Sequence, residues 1–323
     1  MTATVVTGAS TPIGEAVIER LLGADAARRV IAVLAPHEPI PRRAAGGERV
    51  TWEHADLTRA RDIHRLLFGA ARRLEADTLV HLALHRSALD EGDRVRALNV
   101  SAARELLDAV ERHPTIRRFV LRSHAEVYRA RAELPAVVDE RHPLEFDPRA
   151  PQWIRDRVET DLEVCSRMGL TSTVLVVLRC AECLARGTGS QLYDWLGSRV
   201  CLTPLGFDPM LDLASVADLA QALTSASSLG RHGVLNVPGA DRLPLSALVR
   251  EAGRAWVPLP GPALGPLYAL RTLALGSHFR YRQNRWRFHH GVVLDGRRAR
   301  EALGYVPSHP LDFAALRREL AAG

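Results

Sequence analysis

The segment Thr4-Val-Val-Thr7, Gly8-Ala-Ser-Thr-Pro-Ile-Gly14, Glu15-Ala-Val-Ile-Glu-Arg-Leu-Leu22 decides the reading of this chain. A short run rich in β-branched residues meets a glycine turn, and apolar residues then recur at helical spacing through Val17, Ile18, Leu21 and Leu22. Strand, turn and helix follow without a gap. Gly8 permits a tight turn and Gly14 permits close packing of helix on strand, while the amides of the helix start face whatever lies beyond the strand end. This is the context of a pyrophosphate-binding turn, with Gly8, Ser10, Thr11, Ile13 and Gly14 as its candidate contacts.

Outward from this segment the same alternation repeats. Apolar runs at Val30–Leu34, Thr78–Leu84, Arg118–Arg122, Thr173–Leu178 and Val234–Val237 are separated by helical patterns at Arg59–Leu74, Val95–Arg112, Ile154–Arg167 and Val216–Ala226. The rhythm predicts an α/β fold, a doubly wound sheet of six or seven parallel strands. Between Gly187 and Pro209, and again after Leu243, the pattern turns irregular and proline-rich. We therefore expect residues 1–180 and 211–240 to form a nucleotide-binding domain, and residues 181–210 and 241–323 a smaller substrate-side lobe.

The chain has 323 residues and no lysine, so all 43 basic residues are arginine and the formal charge of +6 sits on guanidinium groups. Chemistry that needs a lysine amine is excluded. The arginines are interspersed with acids, which gives no clear case for nucleic acid. The N-terminus shows no basic and apolar export pattern, and Cys165, Cys180, Cys183 and Cys201 are too few for a secreted disulfide framework, so a cytoplasmic protein with free thiols is expected.

The glycine turn is accompanied by Asp56-Leu57, Val80-His-Leu-Ala83, Asn99-Val100, Arg118-Phe-Val-Leu-Arg-Ser123 leading to Val127-Tyr128, Leu178-Arg179, Ser215-Val-Ala-Asp218, Val293-Leu-Asp-Gly296 and Leu303-Gly-Tyr-Val-Pro307. With these residues the chain resembles the extended short-chain dehydrogenases/reductases, the group of NAD-dependent epimerases and dehydratases, over nearly its whole length. The resemblance implies a Rossmann-type fold and an NAD or NADP cofactor. It implies adenine contacts at Asp56 and Leu57, a cofactor-lining stretch at Leu82 and Ala83, and a bracing asparagine at Asn99.

Several positions depart from the family pattern. The middle glycine of the turn is Thr11, and the next residue, Pro12, offers no N–H to a phosphate, so a weakened or lost grip on the cofactor is expected. After the second strand, Leu34-Ala-Pro-His37 supplies neither acid nor arginine, with Arg42 and Arg43 a few residues on, and NAD versus NADP stays open. The family's catalytic serine or threonine falls on His124, next to Ser123. Its Tyr-x-x-x-Lys pair falls on Trp153 and Arg157. Indole has no usable acid and arginine does not shuttle protons, although Arg157 is able to hydrogen-bond a ribose or phosphate. The expected function is a catalytically impaired nucleotide-binding protein acting as sensor, scaffold or partner-binding module, with a protein partner or second copy as possible companions. The alternative is an active oxidoreductase, epimerase or dehydratase that uses His124 as acid or base.

Other constellations read as structural. His81 and His85, four apart on a strand exit, stand about 13 Å from one another, too far for one metal. Cys180-Ala-Glu-Cys183 has no second pair near it and reads as two packed thiols. Trp256–Leu275 is apolar but proline-broken, and reads as a buried or substrate-facing lobe segment before a membrane-surface contact. The run Phe279–His290 interleaves arginines with aromatics and reads first as a helix with snorkelling arginines.

Overall fold

The computed structural model describes residues 3–41, 47–85, 87–275 and 279–322. Arg42 and Arg43 lie outside them. Seven parallel strands, β1 (Ala3–Thr7), β2 (Arg29–Leu34), β3 (Val50–His54), β4 (Ala76–His81), β5 (Arg118–His124), β6 (Val174–Cys180) and β7 (Gly233–Val237), form the central sheet in the order β7-β6-β5-β4-β1-β2-β3. The doubly wound expectation holds. The chain winds one way through β1 to β3 and the other way through β4 to β7, so a topological switch point lies between β1 and β4.

The strands are apolar along their length because both faces are covered. On one face Val6, Val80 and Val120 pack with the helices α1 (Pro12–Ala24), α2 (Gln152–Cys165) and α3 (Val216–Ala226). On the other, Val5, Leu79 and Phe119 meet the helical stretches 60–71 and 93–111. Thr11 is the N-cap of α1 and Ser215 that of α3, each hydroxyl accepting from the amide three residues on. The Asp218 carboxylate has a longer reach than its place in the first turn of α3 suggests. It accepts from the backbone N–H groups of Ser308 and His309 at 3.0 and 3.1 Å and so ties the C-terminal segment to the main domain.

A second core gathers Leu192, Trp195, Leu213, Leu248, Phe279 and Phe288, bordered by small sheets of 182–183, 210–214 and 241–244 and of 200–204 with 255–259. Leu294, Ala299 and Tyr305 return to the first core, where the Tyr305 hydroxyl donates to the Pro238 carbonyl at 2.7 Å.

Two expectations for the lobe need correction. The segment 256–275 is not simply buried: after the strand Ala255–Leu259 it forms helix α4 (Gly261–Leu275), which inserts Leu264 and Tyr268 but leaves Leu267, Leu270 and Leu273 exposed. No helix among the described residues is long and apolar enough to cross a membrane. The run 279–290 is a short helix Tyr281–Asn284 and a tighter turn Arg285–Phe288, and its Arg287 does not snorkel but is buried. Phe279, Tyr281 and Phe288 take the inward positions because Trp195 and Tyr268 give them ring partners.

Candidate active site

Two cavities meet at the switch point. The larger is a cleft of about 1070 Å³ running from Gly8 and Thr11 past the ends of β2 and β3 to Asp56, Leu57 and Ala83. Gly8 has φ +70°, and a Cβ there would stand 2.9 Å from the Ala83 nitrogen. A Cβ on Gly14 would meet the Gly8 carbonyl oxygen at 2.3 Å. Both glycines are therefore fixed by close backbone approach. Thr7, not singled out in the sequence, holds the opposite wall: its hydroxyl pairs with His81 Nδ1 at 2.8 Å and accepts from the Leu82 and Ala83 amides at 3.1 and 3.3 Å. Burial holds the His81 imidazole down to about 4, so it is neutral near pH 7.

Thr11 explains its own presence in the turn. Its hydroxyl donates to the Gly8 carbonyl at 2.8 Å and accepts from the Gly14 N–H at 2.9 Å, which consumes a donor at the helix start. With Pro12 at the first helical position, Ile13 supplies the first-turn amide that neither the cap nor the helix uses among the described residues. Ser10 sits half-buried in the same turn. Asp56 faces the cleft with its carboxylate below the usual range, held there by the Thr58 hydroxyl and Arg59 against partial burial. Leu57 and Leu82 are buried. Glu38, one residue past the Leu34–His37 stretch, also lines the cleft, its carboxylate accepting from the Ala35 amide at 3.0 Å.

The smaller cavity, about 20 Å³, lies at the ends of β4 and β5 among Ala83, Asn99, Ser123, His124 and Arg157. It has room for roughly one water. Asn99 sits in a π-helical turn and spans the corner, accepting from the His85 N–H at 2.9 Å and donating to Asp156 at 3.1 Å. Ser123 turns away from the corner: its hydroxyl donates to Asp161 at 2.5 Å. Arg179 holds the same carboxylate through two bonds of 3.0 and 2.7 Å and also reaches the Tyr128 hydroxyl at 3.2 Å. Tyr128 in turn donates to Asn236 at 2.6 Å, and burial pushes its phenol up to about 12.

The sequence assigned no role to Glu126, yet this buried carboxylate organises the positions where catalysis was sought. Arg157 approaches it at 3.2 Å, Arg287 at 3.5 Å and His124 Nδ1 at 3.8 Å. Burial pushes its pKa up, and Arg157, Arg287 and Arg122 together outweigh that and hold it ionised. Arg287 also pairs with Glu182 of the small sheet beside the second core, so one guanidinium joins a carboxylate on that side to Glu126 at the end of β5. His124 is held well below its ordinary range by burial, then by Arg157 and Arg122. Trp153 lies under Arg157, whose guanidinium carbon is 4.8 Å from the indole ring, and the indole N–H has no hydrogen-bond partner among the described residues. Spacing along the chain gave no signal for Arg287, which approaches from the run first read as solvent-facing.

The thiols of Cys180 and Cys183 are buried and pushed up to about 12, which suits packing rather than reactivity. No group of acids, histidines and cysteines able to hold a metal occurs among the described residues.

Residues 4–152 match the model of the NAD dependent epimerase/dehydratase family. Uncharacterized proteins of Mycobacterium tuberculosis and Mycobacterium bovis are 31% identical over 313 residues, 94% of this chain and 79% of theirs. Among solved structures, UDP-glucose 4-epimerase of Thermotoga maritima with UDP-glucose aligns over 99% of this chain and 98% of its own at 16% identity, with a TM-score of 0.72. UDP-glucuronic acid 4-epimerase of Bacillus cereus in complex with NAD gives a TM-score of 0.70 at 16% identity, over 99% and 98% of the two chains. The fold, the glycine turn at the switch point and these matches lead to one assignment: the chain belongs to the NAD-dependent epimerase/dehydratase family.

Proposed function

We propose that this protein binds a dinucleotide but lacks the hydride-transfer and epimerase chemistry of its family, and that it acts as a nucleotide-responsive scaffold for a protein partner or a second copy of itself. The observation that carries this reading is the ion network at Glu126. Ordinary chemistry of this kind needs a hydroxyl acid tuned by a nearby ammonium. Here Trp153 offers an indole, and Arg157 is committed to a carboxylate instead of a phenol. The hydroxyl groups nearest the corner are engaged as well: Ser123 serves Asp161, and Thr160 donates to the Asn99 and Asp156 carbonyls.

The residues of the large cleft fit a dinucleotide. Gly8 and Gly14 keep the turn clear, Ile13 presents an amide to a phosphate, and Asp56 and Leu57 stand at the far end. Glu38 at the edge of β2 favours a free ribose 2′-hydroxyl over a 2′-phosphate, hence NAD over NADP. When bound, the nicotinamide would supply hydride transfer; the protein would contribute orientation without an acid to accompany it.

The second reading, turnover through His124, is supported only by its place at the end of β5. An imidazole held neutral by burial and two arginines is a poor acid near pH 7, and the same surroundings weaken it as a base. Calorimetric titration with NAD, NADH, NADP and NADPH, joined to assays on UDP-sugars and simple secondary alcohols, tests both readings. Saturable NAD binding without turnover is the expected result; turnover at ordinary enzyme rates that His124→Ala abolishes would establish the second reading instead.

A further inference from the structure

Apart from Arg271 and Thr272, helix α4 is apolar on its far side as well as on the side facing the core, a pattern proper to a helix that is covered on all sides. It is not covered. Leu264 and Tyr268 face the lobe core, whereas Leu267, Leu270 and Leu273 on the far side are 39%, 63% and 86% exposed. Trp256, on the strand leading into the helix, leaves 40% of its surface open while its indole N–H is held by Thr203. At about 1.5 Å per residue a helix of this length is too short to cross a bilayer, but long enough to lie along its surface.

Charge indicates what covers it. From Ala252 to Leu294, 43 residues, the chain has no aspartate or glutamate and six arginines. Arg254, Arg271 and Arg287 are engaged within the chain, the first on the Leu196 and Leu320 carbonyls, the second on the Val200 carbonyl and the third on Glu182. Arg280, Arg282 and Arg285 instead line a groove of about 630 Å³ beside α4, floored by the stacked rings of Tyr268 and Tyr281. Glu91 reaches this region from the main domain, where it accepts from Gln283. Exposed leucines with a tryptophan at one end and an arginine-lined groove alongside suit a surface that is apolar below and negatively charged above.

We propose that this face docks the protein on a bilayer bearing anionic headgroups, with Leu267, Leu270 and Leu273 entering the acyl boundary and Arg280, Arg282 and Arg285 meeting phosphates. The proposal does not depend on the reading of the nucleotide site. It is tested by flotation of the full chain with vesicles of phosphatidylcholine alone and with 30% phosphatidylglycerol, at low and high salt. Binding to the anionic vesicles alone is expected, falling as salt rises. Leu270→Glu with Leu273→Glu, both exposed, lowers it at least tenfold, and each of Arg282→Gln and Arg285→Gln lowers it roughly fivefold. The proposal is overturned by equal or absent binding to the two vesicle types, or by indifference to these substitutions. It is overturned equally if sedimentation shows a dimer that Leu270→Glu and Leu273→Glu dissociate, because the face then covers a second copy.

Discussion

Replacing Arg179 by alanine tests whether the polar network behind β5 holds the nucleotide domain together. Its guanidinium is 5% exposed and the Asp161 carboxylate it grips is fully buried. Alanine leaves that carboxylate with the Ser123 hydroxyl at 2.5 Å and the weak Cys165 thiol at 3.5 Å. Removing one partner of a buried pair costs about 3–5 kcal/mol, because the remaining charge stays out of water. A domain of this size loses roughly 2 °C for each kcal/mol, so the expected fall in Tm is roughly 6–10 °C. Thermal unfolding followed by circular dichroism measures it. Arg104→Ala provides the contrast: its contact with Glu163 at 3.0 Å leaves the arginine 47% exposed, and such surface pairs contribute about 0–1 kcal/mol. A cycle with Asp161→Asn then separates the pair from the cavity that alanine creates. A fall below about 2 °C, or full additivity with Asp161→Asn, would refute the reasoning.

Thr11→Gly releases the Gly14 amide and is expected to tighten NAD binding several-fold by calorimetry, while the lost cap lowers stability by only a few tenths of a kcal/mol. In acid, His81 and Asp212 act in opposite directions. His81, held down to about 4, costs stability as pH falls from 6.5 toward 4, whereas Asp212, pushed up by burial to about 6, costs stability as pH rises from about 4 through 6. Urea unfolding of Asp212→Asn should therefore show a steeper loss between pH 6.5 and 4 than the unmodified protein; equal slopes would remove the assigned Asp212 contribution. His124→Ser, Trp153→Tyr and Arg157→Lys combined are expected to remain inactive on UDP-sugars, because Glu126 stays in place to take the new ammonium. Activity appearing in that triple variant would show that Glu126 does not block the chemistry.

The sheet was legible because its signals are local. Strand, glycine turn and helix follow one another within β1 and α1, and buried parallel strands are apolar on both faces. The site was legible only in part. His124, Trp153 and Arg157 come from the resemblance, and the structure brings His124 and Arg157 to one carboxylate with the Trp153 ring under Arg157. That carboxylate was overlooked because Glu126 reads as an ordinary polar residue of a turn. Its second arginine lies 161 positions away by number, in a segment whose alternation of charge and ring resembles a solvent-facing helix. Such pairings leave no mark on spacing. Burial decides them, and Arg287 is buried because the rings of Phe279, Tyr281 and Phe288 fill the lobe core and turn it inward.

His124, Trp153 and Arg157 are therefore better understood as parts of one arrangement with Glu126 than as three independent positions. Glu126 would be costly to bury alone; Arg157 and Arg287 keep it ionised. Arg157 would likewise be costly to bury alone, and the Trp153 ring gives its guanidinium a flat face to lie on. Arg287 is held by Glu182 on its own side and by Glu126 across from it, so one charged contact ties the second core to the turn that follows β5. The Glu126–Arg287 contact is therefore the link through which the proposed nucleotide-responsive scaffold would act.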